Sequence, residues 1–336
     1  MSWEATCWIL LVAFLASCVA TRALVRLLAR LQLMDIPNTR SSHSTPTPRG
    51  GGLGILIGIT AACVAAWALN LPLPNRSIFF GVAIVASLGF LDDVLGGIGI
   101  LIRLLAQALA AYCAVYTLDS PVLPLSSASE FSTTASLVLT LIWIVGVTNV
   151  YNFLDGIDGY AGFQGVIAGL AIAFVGQGAV SVVGLSIAGA CLGFLIYNWH
   201  PARVFMGDVG SNSLGFLISV LPLHFGPEKS SESLFAVAMC MWFFLADGTF
   251  TLCARVLRRE RFWEPHRRHL YQRLVQTGLR HDQVVCIVGL AATTLATLAV
   301  ISVKVHLVLI QWSVVALSMI AFVAYHEWTR YRERSM

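Results

Sequence analysis

The sequence predicts an all-α integral membrane protein of about eleven transmembrane helices, and three observations predict it. Hydrophobic residues make up 57% of the 336-residue chain and charged residues only 11%, a balance that would leave a water-soluble globule covered in apolar patches. Apolar runs of roughly 15 to 22 residues recur along the whole chain, each about the length that crosses hydrocarbon as a helix. Nearly all the positive charge falls in every second loop between them.

The runs are 7–29, 53–70, 78–92, 100–118, 135–151, 163–178, 179–197, 212–225, 234–254, 284–303 and 306–325. The first is preceded by Glu4 and followed by Arg22, Arg26 and Arg30, so it reads as a retained helix and not a cleaved signal peptide. Pro-containing clusters at 71–76 and 119–124 mark turns after the second and fourth runs. The third closes on Leu91-Asp92-Asp93-Val94, and the fifth runs into an Asn- and Asp-rich segment. The abutting runs 163–178 and 179–197 are read as two helices. The eighth follows a Gly- and Asp-containing segment. The ninth carries Asp247, about 12 Å from its nearer end at 1.5 Å per residue.

Threading the chain through these spans places loops 30–52, 93–99, 152–162, 198–211, 255–283 and the tail from 326 on one face. Of the 21 Lys and Arg residues, Arg76, Lys229 and Lys304 alone fall on the other face. The positive-inside rule makes the crowded face cytoplasmic, with a periplasmic N-terminus and a cytoplasmic C-terminus in a bacterial inner membrane. The net charge of +4 follows from this topology, and Arg-rich stretches such as 330–334 suit contact with anionic membrane lipids. Nothing points to nucleic acid. All eight cysteines lie within apolar runs with no C-x-x-C pair, so they are expected to pack in the core. The whole of 1–336 reads as one polytopic domain.

Acidic residues at a membrane border are costly and need a reason. Asp92 and Asp93 are neighbours about 100° apart on a helix, so they should divide roles between them. From Asn149 to Gly159, the polar groups Asn149, Asn152, Asp155 and Asp158 recur every third residue on one helix face. Gly156 and Gly159 beside the acids allow close approach of a sugar nucleotide or a hydrated cation. Phe205-Met206-Gly207-Asp208-Val209-Gly210-Ser211 opens an apolar run, so backbone N–H groups gather beside a carboxylate, a combination suited to phosphate and metal. The loop Arg255 to His281 carries Arg267, Arg268 and His269 among many basic residues. Its histidines lack a cysteine companion, and phosphate recognition fits better than zinc. Together these segments imply Mg²⁺ and a phosphorylated, water-soluble substrate that meets a lipid held in the membrane. A nucleotide-sugar and a lipid phosphate satisfy both halves.

At these residues the chain resembles the polyprenyl-phosphate N-acetylhexosamine-1-phosphate transferases. The resemblance runs from Arg40-Ser41-Ser42-His43 and Pro46-Thr47-Pro48-Arg49-Gly50-Gly51-Gly52 to the loop ending near Gly278. It takes in Asp92-Asp93, Asn152-x-x-Asp155-Gly-x-Asp158-Gly, Met206-Gly207-Asp208-Val209-Gly210-Ser211, and Asp247 followed by Arg255. Where many relatives have His-x-His-His, this chain has His269-Leu270-Tyr271-Gln272, a variant similar to the O-antigen initiating branch, associated with N-acetylfucosamine or N-acetylquinovosamine in place of N-acetylglucosamine.

The resemblance implies that Asp208, helped by Asp155, ligates Mg²⁺, or Mn²⁺ in its place, on the diphosphate of a UDP-N-acetylhexosamine. It implies that Asp92 orients or deprotonates the phosphate of undecaprenyl phosphate, with Asp93 in support. A phosphate monoester has a second pKa of about 6, so positioning should outweigh proton removal. Asn149, Asn152, Asp155 and Asp158 would bind the nucleotide, and Arg267, Arg268 and His269 would grip diphosphate or sugar. The reaction implied is attack on the β-phosphorus, giving a lipid diphosphate sugar and UMP, at the start of O-antigen synthesis. A peptidoglycan-type phospho-N-acetylmuramoyl-pentapeptide transferase and a polytopic transporter or flippase are the rival readings. Both monomer and homodimer are compatible with the sequence.

Overall fold

In the computed structural model of the chain, residues 1–37, 42–43, 45–116, 130–225, 230–261 and 266–336 are described, with side chains from 134 and 231 in the helices that begin at 130 and 230. Arg40, Ser41, Lys229 and the cluster at 119–124, noted above, lie outside the described residues. Thirteen α-helices are described: α1 (Trp3–Arg30), α2 (Gly52–Ala68), α3 (Arg76–Leu95), α4 (Ile100–Val115), α5 (Glu130–Phe153), α6 (Tyr160–Val175), α7 (Gly178–Asn198), α8 (Gly207–Val220), α9 (Ser230–Cys240), α10 (Trp242–Leu257), α11 (Leu270–Gln276), α12 (His281–Val305) and α13 (Val308–Arg334). Two short strands, β1 (Met34–Asp35) and β2 (Thr47–Pro48), pair antiparallel between α1 and α2.

Among the described residues every apolar run falls largely on helix, and the abutting pair 163–197 is two helices, α6 and α7. Among the described residues, six helices are long and apolar enough to cross a membrane: α1, α3, α7, α12, α13 and the Thr134–Phe153 part of α5. The ninth run is not one rod but α9 and α10, which meet at 75°; counted as one span they make seven. The helices α2, α4 and α6 are apolar but shorter, at about 24–26 Å for a 1.5 Å rise per residue. The chain is a multi-pass helical membrane protein.

Local chemistry sets the ends. The Ser2 hydroxyl oxygen accepts the Ala5 N–H at 3.2 Å to start α1, with Glu4 in the first turn and Arg30 in the last, the arrangement a helix dipole favours. Around the centre, α7 packs on α1, α2 and α6, while α8 packs against α3, α5 and α2. Every residue of α8 is buried. Its 14 residues span only about 21 Å, so the polar N-terminus of this central helix stops short of a full hydrocarbon thickness, inside a ring of neighbours. Small residues permit that packing. A Cβ on Gly52 of α2 would lie 2.3 Å from the Gly210 Cα of α8, so the two backbones touch there.

The cysteines divide. Cys63, Cys191 and Cys240 are buried as expected, but Cys7, Cys253 and Cys286 are exposed. Those three lie on outward helix faces beside other exposed apolar side chains, where lipid rather than protein core makes their apolar surface favourable.

Candidate active site

The α8 N-terminus is where the polar segments converge, and backbone pairing fixes the first of them. Phe205 N–H donates to the Pro48 carbonyl at 2.8 Å, Gly51 N–H to the Phe205 carbonyl at 2.9 Å and Gly52 N–H to the Met206 carbonyl at 2.8 Å. Residues 48–52 therefore run alongside 205–206, which carries Arg49 to the start of α8. Its Nε lies 2.8 Å from Asp93 Oδ1 and its Nη2 2.5 Å from Asp208 Oδ1. Burial pulls the Arg49 pKa down, but Asp208 and Asp93 outweigh it and hold the guanidinium above its usual range. A second cation, Arg103 from α4, places Nη1 3.4 Å from Asp208 Oδ2 and 3.9 Å from Asp92 Oδ1.

Asp92 and Asp93 do divide. The Asp93 carboxylate accepts the N–H groups of Asp208 at 2.9 Å and Val209 at 3.1 Å, capping a helix whose own N-cap residue, Met206, has no capping side chain. Asp92 points the other way, accepts the Ile98 N–H at 2.6 Å and lines the cavity described below.

The segment after α5 supplies the opposite wall. Asn152 donates from Nδ2 to Asp208 Oδ2 at 3.3 Å and accepts the Ser211 hydroxyl at 2.6 Å. The Asp155 carboxylate makes no hydrogen bond or ion pair among the described residues, and burial first, then Asp208, push it up to about 7. Asn149 lies one turn deeper, donating to Gln107 Oε1 at 2.6 Å, and Gln107 donates in turn to Asn212 Oδ1 at 3.3 Å. Asn212 then donates to the Asp208 carbonyl at 2.9 Å. This chain of amides ties α4, α5 and α8 together beneath the site.

Asp158 belongs to a clasp. Its Oδ2 lies 2.6 Å from His200 Nδ1 and 3.2 Å from His281 Nδ1, and accepts the Ala202 N–H at 3.2 Å. Burial alone would raise this carboxyl, but the bonds from His281 and His200 bring it below its usual range. Three ligand-type atoms here lie within 4.8 Å of one another. The carboxylate is nonetheless satisfied by the protein, and the set joins the start of α6, the end of α7 and the start of α12.

The basic loop closes the site from the α10–α11 side. His269 is 2% exposed and its Nδ1 lies 3.3 Å from Asp247 Oδ1, which also accepts the Leu270 N–H at 3.0 Å. Asp247, deep in α10, thus anchors the ring. Arg268 pairs with Glu260, and the Arg267 carbonyl accepts from Gln276. His266 sits beside His269 at 4.8 Å between ring centroids; burial, then its neighbours His269 and Arg255, hold it near 4.

These groups surround a cavity of about 580 Å³. Asp92, Asn152, Asp155, Asp158, Asp208 and His269 line it, whereas Asp93, Asn149, Arg267 and Arg268 do not. Arg49 and Arg103 line it as well. Neither was assigned a role from the sequence, although a lone Arg in the run Ile100–Val115 is itself a signal, since a charge in an apolar helix needs a partner. Gln107, His200 and His281 were also missed. Asp155 and Asp208 bring carboxylate oxygens, the donors a hard divalent cation takes, to the same cavity.

The family model for glycosyl transferase family 4 matches residues 75–226, the stretch that carries Asp92 through Asp208. A Bacillus subtilis protein named "Probable undecaprenyl-phosphate N-acetylglucosaminyl 1-phosphate transferase" is 31% identical over 290 residues, 83% of this chain and 80% of that protein. The decaprenyl-phosphate N-acetylglucosaminephosphotransferase of Mycobacterium tuberculosis (strain ATCC 25618 / H37Rv) is 29% identical over 305 residues, covering 79% of this chain and 75% of its own. A phospho-N-acetylmuramoyl-pentapeptide-transferase of Desulforamulus reducens is 32% identical over 233 residues, 61% of this chain and 69% of its own. With a relative of that identity spanning most of both chains and the motifs gathered at one cavity, the chain belongs to the polyprenyl-phosphate N-acetylhexosamine-1-phosphate transferases of glycosyl transferase family 4.

Proposed function

We propose that this protein transfers an N-acetylhexosamine 1-phosphate from a UDP-sugar to undecaprenyl phosphate on the cytoplasmic side of a bacterial inner membrane, releasing UMP. The observation that carries the reading is the convergence of Asp92, Asn152, Asp155 and Asp208 with Arg49 and Arg103 on one cavity. That set holds acidic groups for a divalent cation and basic groups for phosphate in the same space.

An acceptor phosphate oxygen attacks the β-phosphorus of the donor, and the bond between that phosphorus and the bridging oxygen breaks, so the sugar leaves with its phosphate and UMP departs. Asp208 and Asp155 would hold Mg²⁺, or Mn²⁺ in its place, and the cation would supply positive charge for the diphosphate and for UMP as it leaves. Arg103, between Asp92 and Asp208, holds the acceptor phosphate, since a guanidinium binds phosphate oxygens in pairs. Asp92, fixed by the Ile98 N–H, orients that phosphate. Asn152 keeps Asp208 aimed into the cavity. The flat face of Phe205, with His43 at its edge 4.8 Å between centroids, offers the uracil a stacking surface.

Eleven apolar segments, with the N-terminus periplasmic and the C-terminus cytoplasmic, would place this cavity where the positive charges cluster. The relatives described above are named for N-acetylglucosaminyl and phospho-N-acetylmuramoyl-pentapeptide transfer, which favours N-acetylglucosamine and a cell-wall-type pathway. The 6-deoxy sugars N-acetylfucosamine and N-acetylquinovosamine, with an O-antigen role, rest on Tyr271 and Gln272 alone.

The test is UMP release by purified protein in detergent with undecaprenyl phosphate, Mg²⁺ and a panel of UDP-N-acetylhexosamines. Release that needs lipid and metal and is abolished in Asp208→Asn supports the reading. Release of no UMP with any sugar, from folded protein, overturns it.

A further inference from the structure

A second cavity, of about 300 Å³, lies between α2 and α3 at the ends of these helices remote from Asp208. The two are consecutive in the chain but lean apart: α2 packs on α1, α7 and α8, and α3 on α4 and α8. Leu217 of α8 floors the cleft between them, about 14 Å along that helix from Asp208 at 1.5 Å per residue. Its walls are apolar. Ile59, Cys63 and Ile78 are buried, and the hydroxyl of Thr60 is taken up by the Leu56 carbonyl at 2.8 Å. A cavity with no polar group to hold water stays dry and takes apolar ligands. Val64 and Trp67 line it and are exposed, so it opens on the outer surface of the helix bundle, where the surrounding medium is hydrocarbon.

The mouth carries a charge that the site chemistry leaves unused. Arg76 opens α3 two residues before Ile78, is exposed, and makes no ion pair among the described residues. It runs against the charge bias of the chain, in which nearly all the positive residues lie on the other face. The N-terminal end of α3 adds partial positive charge at the same place, and Trp67 brings an amphipathic ring of the kind that settles at head-group depth. We propose that this cleft binds one phospholipid of the leaflet opposite the active site, with an acyl chain in the cavity and the phosphodiester on Arg76. The inference goes beyond the transferase reading and does not depend on it. A prenyl phosphate bound for reaction has its phosphate at the Asp208 end and brings no anion to Arg76, whereas a phospholipid of the opposite leaflet meets both the apolar cleft and the cation. The chain fills the gap between α2 and α3 and so braces α8, the helix that carries Asp208.

The experiment uses the full-length protein in detergent and phosphatidylglycerol with a diazirine midway along one acyl chain. After irradiation, the attachment sites are mapped by peptide mass spectrometry. The expected result is label on buried Ile59, Ile78 or Leu217, displaced by unlabelled phosphatidylglycerol. Arg76→Gln should lower that label about 10-fold at sub-saturating lipid, the equivalent of one charge-assisted hydrogen bond. Cys63→Phe, which fills the cavity, should remove it, and Thr60→Phe fills the cleft from its mouth if the first variant does not fold. Label confined to exposed Val64, Trp67 and Phe80 overturns the proposal, because any lipid around the protein reaches those side chains. Buried label that is unchanged in Arg76→Gln or in the filled variant also overturns it. So does displacement by undecaprenyl phosphate at lower concentration than by phosphatidylglycerol, which would give the cleft to the prenyl tail.

Discussion

Replacing Asp93 by alanine should loosen α8 before it touches any chemistry. The substitution removes the acceptor for two N–H groups in the first turn of a fully buried helix, and the partner of Arg49 Nε. Loss of an Asp cap costs about 0.5–2 kcal/mol. Breaking a buried ion pair costs about 3–5 kcal/mol when one charge is left alone, but Arg49 keeps Asp208 and is one-third exposed, so that contribution is smaller. Together they come to about 2–3 kcal/mol, or a fall of about 4–12 °C in the unfolding midpoint at roughly 2–4 °C per kcal/mol. Asparagine keeps one acceptor, so Asp93→Asn should lose about half as much. Activity should follow the same order, because Asp208 rides on the helix that Asp93 caps. Asp92→Asn should behave differently: asparagine still accepts the Ile98 N–H, so the midpoint holds while UMP release collapses. The assay is thermal unfolding in detergent beside UMP release for all three variants. An Asp93→Asn protein that melts like wild type but is as inactive as Asp92→Asn would refute the reasoning and put the Asp93 carboxylate on the substrate.

Stripping divalent cations with EDTA should abolish UMP release, and Mg²⁺ or Mn²⁺ should restore it in wild type but not in Asp208→Asn; full activity in EDTA would count against the metal set. Gly52→Ala should destabilise the protein by about 1–3 kcal/mol through overpacking, read as a lower unfolding midpoint together with reduced activity, since the added Cβ would push on the Gly210 backbone of α8. For orientation, a green fluorescent protein fused after Met336 should fluoresce, and alkaline phosphatase fused after Leu307 should be active. The reverse pattern would invert the topology and put the cavity on the periplasmic face.

The helices were legible because each apolar run is bounded by loops rich in charge, Pro or Gly. The bend at Met241 was not, because Trp242 to Leu245 continue the apolar run and an uninterrupted pattern carries no record of direction. At the site, the regular spacing of Asn152, Asp155 and Asp158 and the Gly207-Asp208 turn announced themselves. What spacing could not give was partnership. Arg49 reaches Asp208 only through the pairing of 48–52 with 205–206, and His200 and His281 meet Asp158 from helices 42 and 123 residues away. The cap that Asp93 places on α8 was equally hidden, because it is made to the backbone N–H groups of Asp208 and Val209, which no side-chain pattern reports.

The bend at Met241 gives α10 two masters. One side of the helix buries Phe244, Asp247, Thr251 and Arg255, and the other exposes Phe250, Val256 and Leu257 to the surrounding lipid. Asp247 on the first side holds both the His269 ring and the Leu270 N–H. The helix is thus a lever with the bilayer at one end and the wall of the cavity at the other. Through Asp247, one helix joins a lipid-facing surface to the wall of the cavity, so a substitution on either side of α10 bears on the position of His269.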